Sequence, residues 1–268
     1  PDVSANKIVR KISKIPGAKK IIILGGDGTI NEAINGLEDD QLNHTYIGYI
    51  PTGSSNDFAR SLMLPKDPLV GLEQILSSKD YLALDLGKVK VDDDKEYKFI
   101  VSSGSGFDAS IVRSANSSKL KTFLNFIGLG KFIYIIKAIS SLFLSPYNHG
   151  RIMIDGQESK SYNKLFFVIS MNHKYEGGGI VFAPDANPQD GLLSVCIVHG
   201  LSRWKLLSML LHVLAGKHEA LKGVELFNCS SMDVTLENTW NLHTDGEFLG
   251  SYPSYSISCI PEKLKLLV

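Results

Sequence analysis

A chain of 268 residues, 44% hydrophobic and 21% charged, can bury a sizeable core and has room for two domains of ordinary size, which argues against a disordered or fibrous protein. Its 28 Lys and Arg balance its 28 Asp and Glu, so no global field drives binding to nucleic acid or to an acidic membrane surface. Cys196, Cys229 and Cys259 are widely spaced and show neither CxxC nor a Cys/His cluster, which speaks against a disulfide scaffold or zinc site and suits a reducing cytosol.

In chain order, residues 5–14 place Ile8, Ile12 and Ile15 at helical spacing, with Pro16-Gly17 as a stop. "KKIIIL" then reads as a short strand buried on both faces of a parallel sheet. Behind it comes "GGDGTINEAINGL", whose Thr29-x-x-Glu32 matches a capping box and predicts a helix start near Thr29. "YIGYIP" is a second buried strand, "TGSSNDFARSL" a loop entering a helix, and "LVGLEQILSS" a further helix. This alternation predicts an α/β layer over the first ~80 residues.

From residue 82 the texture changes to short strands divided by turn signals, the spacing of an antiparallel sandwich, interrupted by helical stretches at 119–144 and 202–216. The run 124–145 carries Lys131 and Lys137 at depths where charge is costly in a bilayer, so it reads as a buried or interfacial helix rather than a span. The amphipathic 203–218 helix either packs on the core or skims a membrane surface. The final "EKLKLLV" is a strand that could return to either domain. The expected division is an α/β unit over 1–82 with a C-terminal return at 256–268, and a β unit over 83–255.

Glycine-rich turns leading into a helix make a phosphate site, because bare amides and the helix dipole point the same way. Gly25, Gly26 and Gly28 supply such a turn, but neither a Walker A loop nor G-x-G-x-x-G is present. Asp27 beside phosphate would be repulsive unless Mg²⁺ or a hydrogen-bonded ribose intervened. A plain strand-to-helix turn with Asp27 as a cap is the alternative. "IPTGSSNDFAR" repeats the architecture, and two such loops after successive strands could face one crevice; Ser54-x-x-Asp57 could also be only a helix cap.

These segments, with "GFDAS" at 106–110, "FAPDANPQDGLLSV" at 182–195 and "HTDGEFLG" at 243–250, resemble the bacterial diacylglycerol kinase family and the wider lipid kinases that include sphingosine and ceramide kinases. The resemblance runs from about residue 20 to the C-terminus through five ordered motifs. It implies an α/β plus β architecture: an NAD-kinase-like α/β nucleotide domain, then a β-sandwich domain with inserted helices and the active site between them. It also implies transfer of the γ-phosphoryl group of ATP to a lipid hydroxyl, most simply diacylglycerol giving phosphatidic acid. Carried onto this sequence, ATP would contact Gly25, Gly26, Asp27, Gly28, Thr29, Ile30, Asn31, Glu32, Gly53, Ser54, Asn56 and Asp57, with Ser54 where the family usually has Thr.

The resemblance makes Glu247 the general base, with Asp245 in a supporting or metal-linked role, and makes Asn187, Asp190 and the Leu192 carbonyl Mg²⁺ ligands. Asp245-Gly246 and Asp190-Gly191 are also ordinary turn signals, as "IDGQ" at 154–157 shows. His173, His199, His212, His218 and His243 lack ligand spacing and read as structural or surface residues. The family's opening strand and Asn-Pro-x-x-Gly loop find no match here, which leads to the expectation of an N-terminally truncated chain whose own ATP binding is in doubt. A cytoplasmic enzyme drawing its lipid from a membrane by transient peripheral contact is expected, without nucleic acid and with homodimerisation left open. An NAD kinase, or a non-catalytic lipid-binding module of the same fold, is the alternative.

Overall fold

The computed structural model describes residues 4–17, 19–116, 139–157, 159–214 and 222–268. Its first layer starts with helix α1 (Ala5–Ser13), strand β1 (Lys19–Gly25) and helix α2 (Asp27–Ile34). A short helix α3 (Asp39–Leu42) leads to strand β2 (Thr45–Pro51), followed by helices α4 (Asp57–Ser61) and α5 (Pro68–Ser77). The two apolar strands pair in parallel from Lys19 opposite Thr45 to Gly25 opposite Pro51. Ile30 and Ile34 of α2 are completely buried in the core beside them. Each such side chain contributes about 1.5 to 3 kcal/mol relative to exposure. Pro68 opens α5, and the Asp67 carboxylate accepts from the Leu69 and Val70 amides, a capped start with proline where no amide is missed.

Two local expectations change. Helix α2 begins at Asp27, with Gly26 as N-cap, two residues before the start expected from Thr29. The capping box is not formed: the Glu32 carboxylate instead accepts the Ala5 amide at 2.9 Å. The helical face of α1 also turns over. Ile8, Ile12 and Ile15 are exposed, whereas Val9 and Ser13 are buried. Tight approach selects that face, since a Cβ on Gly36 would stand 2.7 Å from the Asn6 carbonyl; the smaller Ala5/Val9/Ser13 stripe fits where isoleucines would not.

The second part is the β domain with inserted helices that the spacing predicted. Strands β3 (Tyr81–Lys90), β4 (Glu96–Phe99) and β5 (Ser102–Gly106) lead into helix α6 (Phe107–Asn116). Then come β6 (Asn148–Ile154), β7 (Lys160–Met171), the short pair β8 (Tyr175–Glu176) and β9 (Ile180–Val181), and β10 (Leu193–His199). Helix α7 (Arg203–Leu214) precedes β11 (Val224–Cys229), β12 (Ser231–Thr244) and β13 (Glu247–Leu267). Pairings β12 to β5, β5 to β7, β7 to β6 and β6 back to β12 close a circuit, so the sheet folds over its own apolar interior. Val168, Leu193, Ile197, Val234 and Leu242 fill that interior.

Strand β13 ties the two parts together. It runs antiparallel to β12 and β3, and its end lies parallel to β2, with Lys265 opposite Tyr46 and Leu266 opposite Ile47. The returning "EKLKLLV" strand therefore extends the first layer's sheet. No helix among the described residues is long and apolar enough to cross a membrane. Of the two helical stretches singled out in the sequence, 119–138 and 215–218 lie outside the described residues. Residues 139–144 are helical, and Arg203 at the start of α7 donates to the Leu142 and Ser145 carbonyls.

Candidate active site

The turns after β1 and β2 meet. The Thr52 amide donates to the Gly25 carbonyl at 2.8 Å, carrying the pairing one residue past the end of β2. A Cβ on Gly53 would lie 2.5 Å from the Gly26 Cα, so the two backbones touch where no larger residue fits. Gly25 packs as closely on the Thr29 side chain. Asn56 holds the second turn in shape: its φ is 50°, its Oδ1 accepts the Gly53 amide at 3.0 Å and its Nδ2 donates to the Gly53 carbonyl at 2.7 Å. Asparagine tolerates this left-handed conformation because its short amide bonds locally. Ser54 is exposed, beside these contacts.

Asp27 does not aim its carboxylate at open space. Oδ2 accepts the Asp57 amide at 3.0 Å and Oδ1 the Phe58 amide at 3.2 Å. It caps α4 rather than its own helix, so the cap held as the alternative for Asp27 is present but on another helix. Asp57 in turn accepts the Gly178 amide at 2.8 Å through Oδ2, fastening the 175–181 hairpin to α4. Its buried Oδ1 has no hydrogen-bond partner, the Arg60 Nε standing 3.8 Å away. Burial raises the Asp57 pKa, the Gly178 amide opposes it, and the negative charge of Asp27 adds to it. An enclosed carboxylate oxygen beside a second carboxylate is a place that a divalent cation or its water would stabilise. Asp57 Oδ1 is the one oxygen of this pair without a hydrogen bond, and so the atom on which Mg²⁺ or its water would fit.

The β12/β13 hairpin reaches this crossing from the other domain. Thr244 pairs with Glu247 around Asp245 (φ 46°) and Gly246 (φ 77°), the two-residue turn that Asp-Gly favours. The hairpin reading of the Asp-Gly pair in "TDGE" is what the structure shows. Asp245 Oδ1 accepts the Val101 and Ser102 amides at 2.8 and 2.9 Å. Oδ2 accepts the Ile100 amide at 2.8 Å and the Asn31 Nδ2 of α2 at 2.7 Å. Burial pushes the Asp245 pKa up, and these four donors oppose that by favouring the charged form. Asp245 is accordingly a clamp between α2 and the hairpin. Glu247 is exposed, and a Cβ on Gly28 would stand 3.7 Å from its Oε1, so the glutamate overhangs the first turn of α2.

Of the other residues expected at the nucleotide, Ile30 is fully buried in the core and Asn31 is spent on the Lys98 carbonyl and Asp245. Glu32 faces α1. Asn187, Asp190 and Leu192 lie on the loop before β10, where Asn187 Oδ1 accepts the Gln189 amide and Asp190 Oδ1 the Leu192 amide. Gly191 donates to Asp85 of β3 and packs on Pro261 of β13, so that loop is fastened to the β3/β13 side.

Another cluster escaped sequence reasoning. Asp108 of α6, Glu176 of β8 and His243 of β12 place one donor atom each within 4.8 Å of one another, a set that could hold a metal ion. His243 was expected to be structural or surface; it is fully buried, 2.5 Å from Asp108 Oδ2 and 3.8 Å from Glu176 Oε1 through Nε2. Burial alone would lower its pKa, Asp108, Glu176 and Asp245 raise it, and the Gly246 N-H that faces Nδ1 favours the neutral ring. Glu176 is pushed up to about 8 by burial and then by Asp108; the Ser102 hydroxyl donates to its Oε1, while its Oε2 has no partner. The sequence held Asp108 in "GFDAS", His243 in "HTDGEFLG" and Glu176 directly before three glycines, but nothing in it joined the three.

The sequence profile of the diacylglycerol kinase catalytic domain matches residues 1–89, and that of the YegS C-terminal NAD kinase beta sandwich-like domain matches residues 100–268. Diacylglycerol kinase of Staphylococcus carnosus is 30% identical over 234 residues, covering 87% of this chain and 72% of its own. Diacylglycerol kinase of Mycobacterium tuberculosis is 27% identical over 252 residues, 94% of this chain and 77% of its own. Among solved structures, a diacylglycerol kinase from Bacillus anthracis superposes with TM-score 0.65 at 19% identity, covering 98% of this chain and 80% of that one. An NAD kinase from Archaeoglobus fulgidus in complex with ATP does so with TM-score 0.51 at 12% identity, covering 97% and 80%. The structural likenesses speak for the fold alone.

Proposed function

Since the chain belongs to the diacylglycerol kinase-like lipid kinases, an enzyme class joining that catalytic domain to a YegS C-terminal domain, we propose that it transfers the γ-phosphoryl group of ATP to a lipid hydroxyl, with diacylglycerol as acceptor. The observation that carries the reading is Glu247 poised over Gly28, beside the crossing of two glycine-rich strand-to-helix turns. Phosphoryl transfer asks a protein for alignment, charge and a proton acceptor more than for covalent chemistry.

In this reading the amides at the start of α2 and the Gly53-Ser54 turn hold the ATP phosphates. Glu247 takes the proton of the lipid hydroxyl as its oxygen bonds to the γ-phosphorus; the bond from that phosphorus to the bridging oxygen breaks, and ADP leaves. Phosphatidic acid is the product. Asp27 and Asp57 are the residues that would hold Mg²⁺, directly or through water, and bound there it neutralises phosphate charge. Asn187, Asp190 and the Leu192 carbonyl would serve a second Mg²⁺ that braces their loop. The acceptor arrives from a membrane by peripheral contact in the cytoplasm.

The test is a kinase assay with labelled ATP and diacylglycerol in mixed micelles, wild type beside Glu247→Gln, with NAD as a competing acceptor. Loss of about 100-fold or more in kcat for the variant is expected of a general base. Equal turnover would remove Glu247 from that role. Labelled NADP would move the assignment to an NAD kinase, and lipid binding without turnover to a binding module.

A further inference from the structure

We propose that His243 is a positioning residue for Glu247, acting from the back of the β12/β13 hairpin through Gly246 while Asp108 holds its ring. The proposal rests on the reading of Glu247 as the base. Thr244 and Glu247 are a directly opposed pair, so they share one face of the hairpin, and alternation along β12 puts His243 on the other. From there it reaches round the turn: the Gly246 amide donates to His243 Nδ1 at 3.3 Å. At the opposite corner of the ring, Nε2 sits on Asp108 Oδ2.

Space has been cleared for this pair. A Cβ on Gly104 of β5 would overlap both Asp108 Oδ2 and His243 Nε2. The register between β12 and β13 also slips beside His243, Leu242 facing Gly250 but His243 facing Phe248. A bulge of this kind re-aims side chains at a strand end. With Asp245 clamped to residues 100–102 and Asn31, Gly246 is the link between that clamp and Glu247. His243 supplies the contact that Gly246, having no side chain, cannot make for itself.

The experiment compares wild type with His243→Ala, His243→Asn and His243→Gln in the diacylglycerol assay, reading kcat and KM for ATP and lipid. A carboxylate displaced by about 1 Å can cost about 100-fold, so the alanine variant should lose about 10- to 100-fold in kcat with both KM values within about twofold. Asparagine places its Oδ1 where Nδ1 stood and should recover to within about fivefold of wild type. Glutamine, which offers an N-H to Asp108 but no acceptor to Gly246, should stay low. Wild-type kcat in the alanine variant, recovery by glutamine but not asparagine, or a change confined to KM would overturn the proposal. If the alanine variant fails to fold, the asparagine and glutamine pair still decides. Glu247→Gln runs alongside: an inactive Glu247→Gln with a flat His243 series removes only the positioning role, whereas an active Glu247→Gln removes the base.

Discussion

Replacing Asp245 by asparagine should destabilise the protein markedly, through its hydrogen bonds rather than through its chemistry. Each carboxylate oxygen accepts two N-H donors, Val101 and Ser102 on one side and Ile100 and Asn31 on the other. Whichever way the asparagine amide turns, its NH₂ replaces one oxygen and two donors meet a donor. Hydrogen bonds to charged groups contribute about 1.5 to 3 kcal/mol each, so the loss is about 3 to 6 kcal/mol, against a total stability of about 5 to 15 kcal/mol for a typical protein. At a urea slope of about 3 kcal/mol/M this moves the midpoint down by about 1 to 2 M. Trp240, buried on β12 near the hairpin, reports it by fluorescence, since the other tryptophan, Trp204, is already exposed and shifts little on unfolding. A midpoint within about 0.3 M of wild type, with activity abolished, would refute the clamp and return Asp245 to the chemistry.

Acid should destabilise the protein through His173, which is buried against Phe58 with no hydrogen-bond partner on either ring nitrogen; burial pulls its pKa down to about 3. The unfolded ring takes a proton below about 6.5 and the folded ring does not, so stability is full above that pH and falls by about 1.4 kcal/mol per unit below it, about 2 kcal/mol by pH 5. His173→Leu should remove that share of the slope in urea titrations at pH 7 and 5; an unchanged difference between the two pH values speaks against it. Gly53→Ala should abolish thermal stabilisation by ATP, because its methyl meets the Gly26 backbone, which cannot step aside as a flexible side chain would. Undiminished stabilisation by ATP would show that the two turns move independently.

The chain of local signals carried the first layer well. Apolar runs of strand length, glycines between strand and helix, and Asp-Gly turns all depend on neighbours in sequence, and the structure holds β1, β2 and the 245–246 turn where those signals lie. Failures came where a side chain had more than one partner within reach. Thr29 and Glu32 fit a capping box, yet Glu32 finds the Ala5 amide of another helix and Gly26 takes the cap. Asp27 lies at the start of α2 but spends both oxygens on α4. The trio at 108, 176 and 243 comes together only because β12 pairs with β5, which runs into α6, while Ser102 of β5 holds Glu176. No periodicity spans such separations.

Two of the Asp-Gly pairs sharpen that point. Asp155-Gly156, like Asp245-Gly246, has positive φ at both residues, and its carboxylate also gathers amides, from Ser230 and Ser231. Backbone, side chain and local capping are alike in the two turns. The difference is in what each turn is fastened to. Asp155 is exposed and binds two serines of the same domain, whereas Asp245 reaches Asn31 on α2 and sets the following glutamate above Gly28. A turn becomes a candidate active site here through a partner more than two hundred residues away in sequence. That contact follows from β13 running on to pair with β2, which binds the two parts of the fold together. Catalytic meaning in "TDGE" is therefore a property of topology, and the turn signal alone carries none of it.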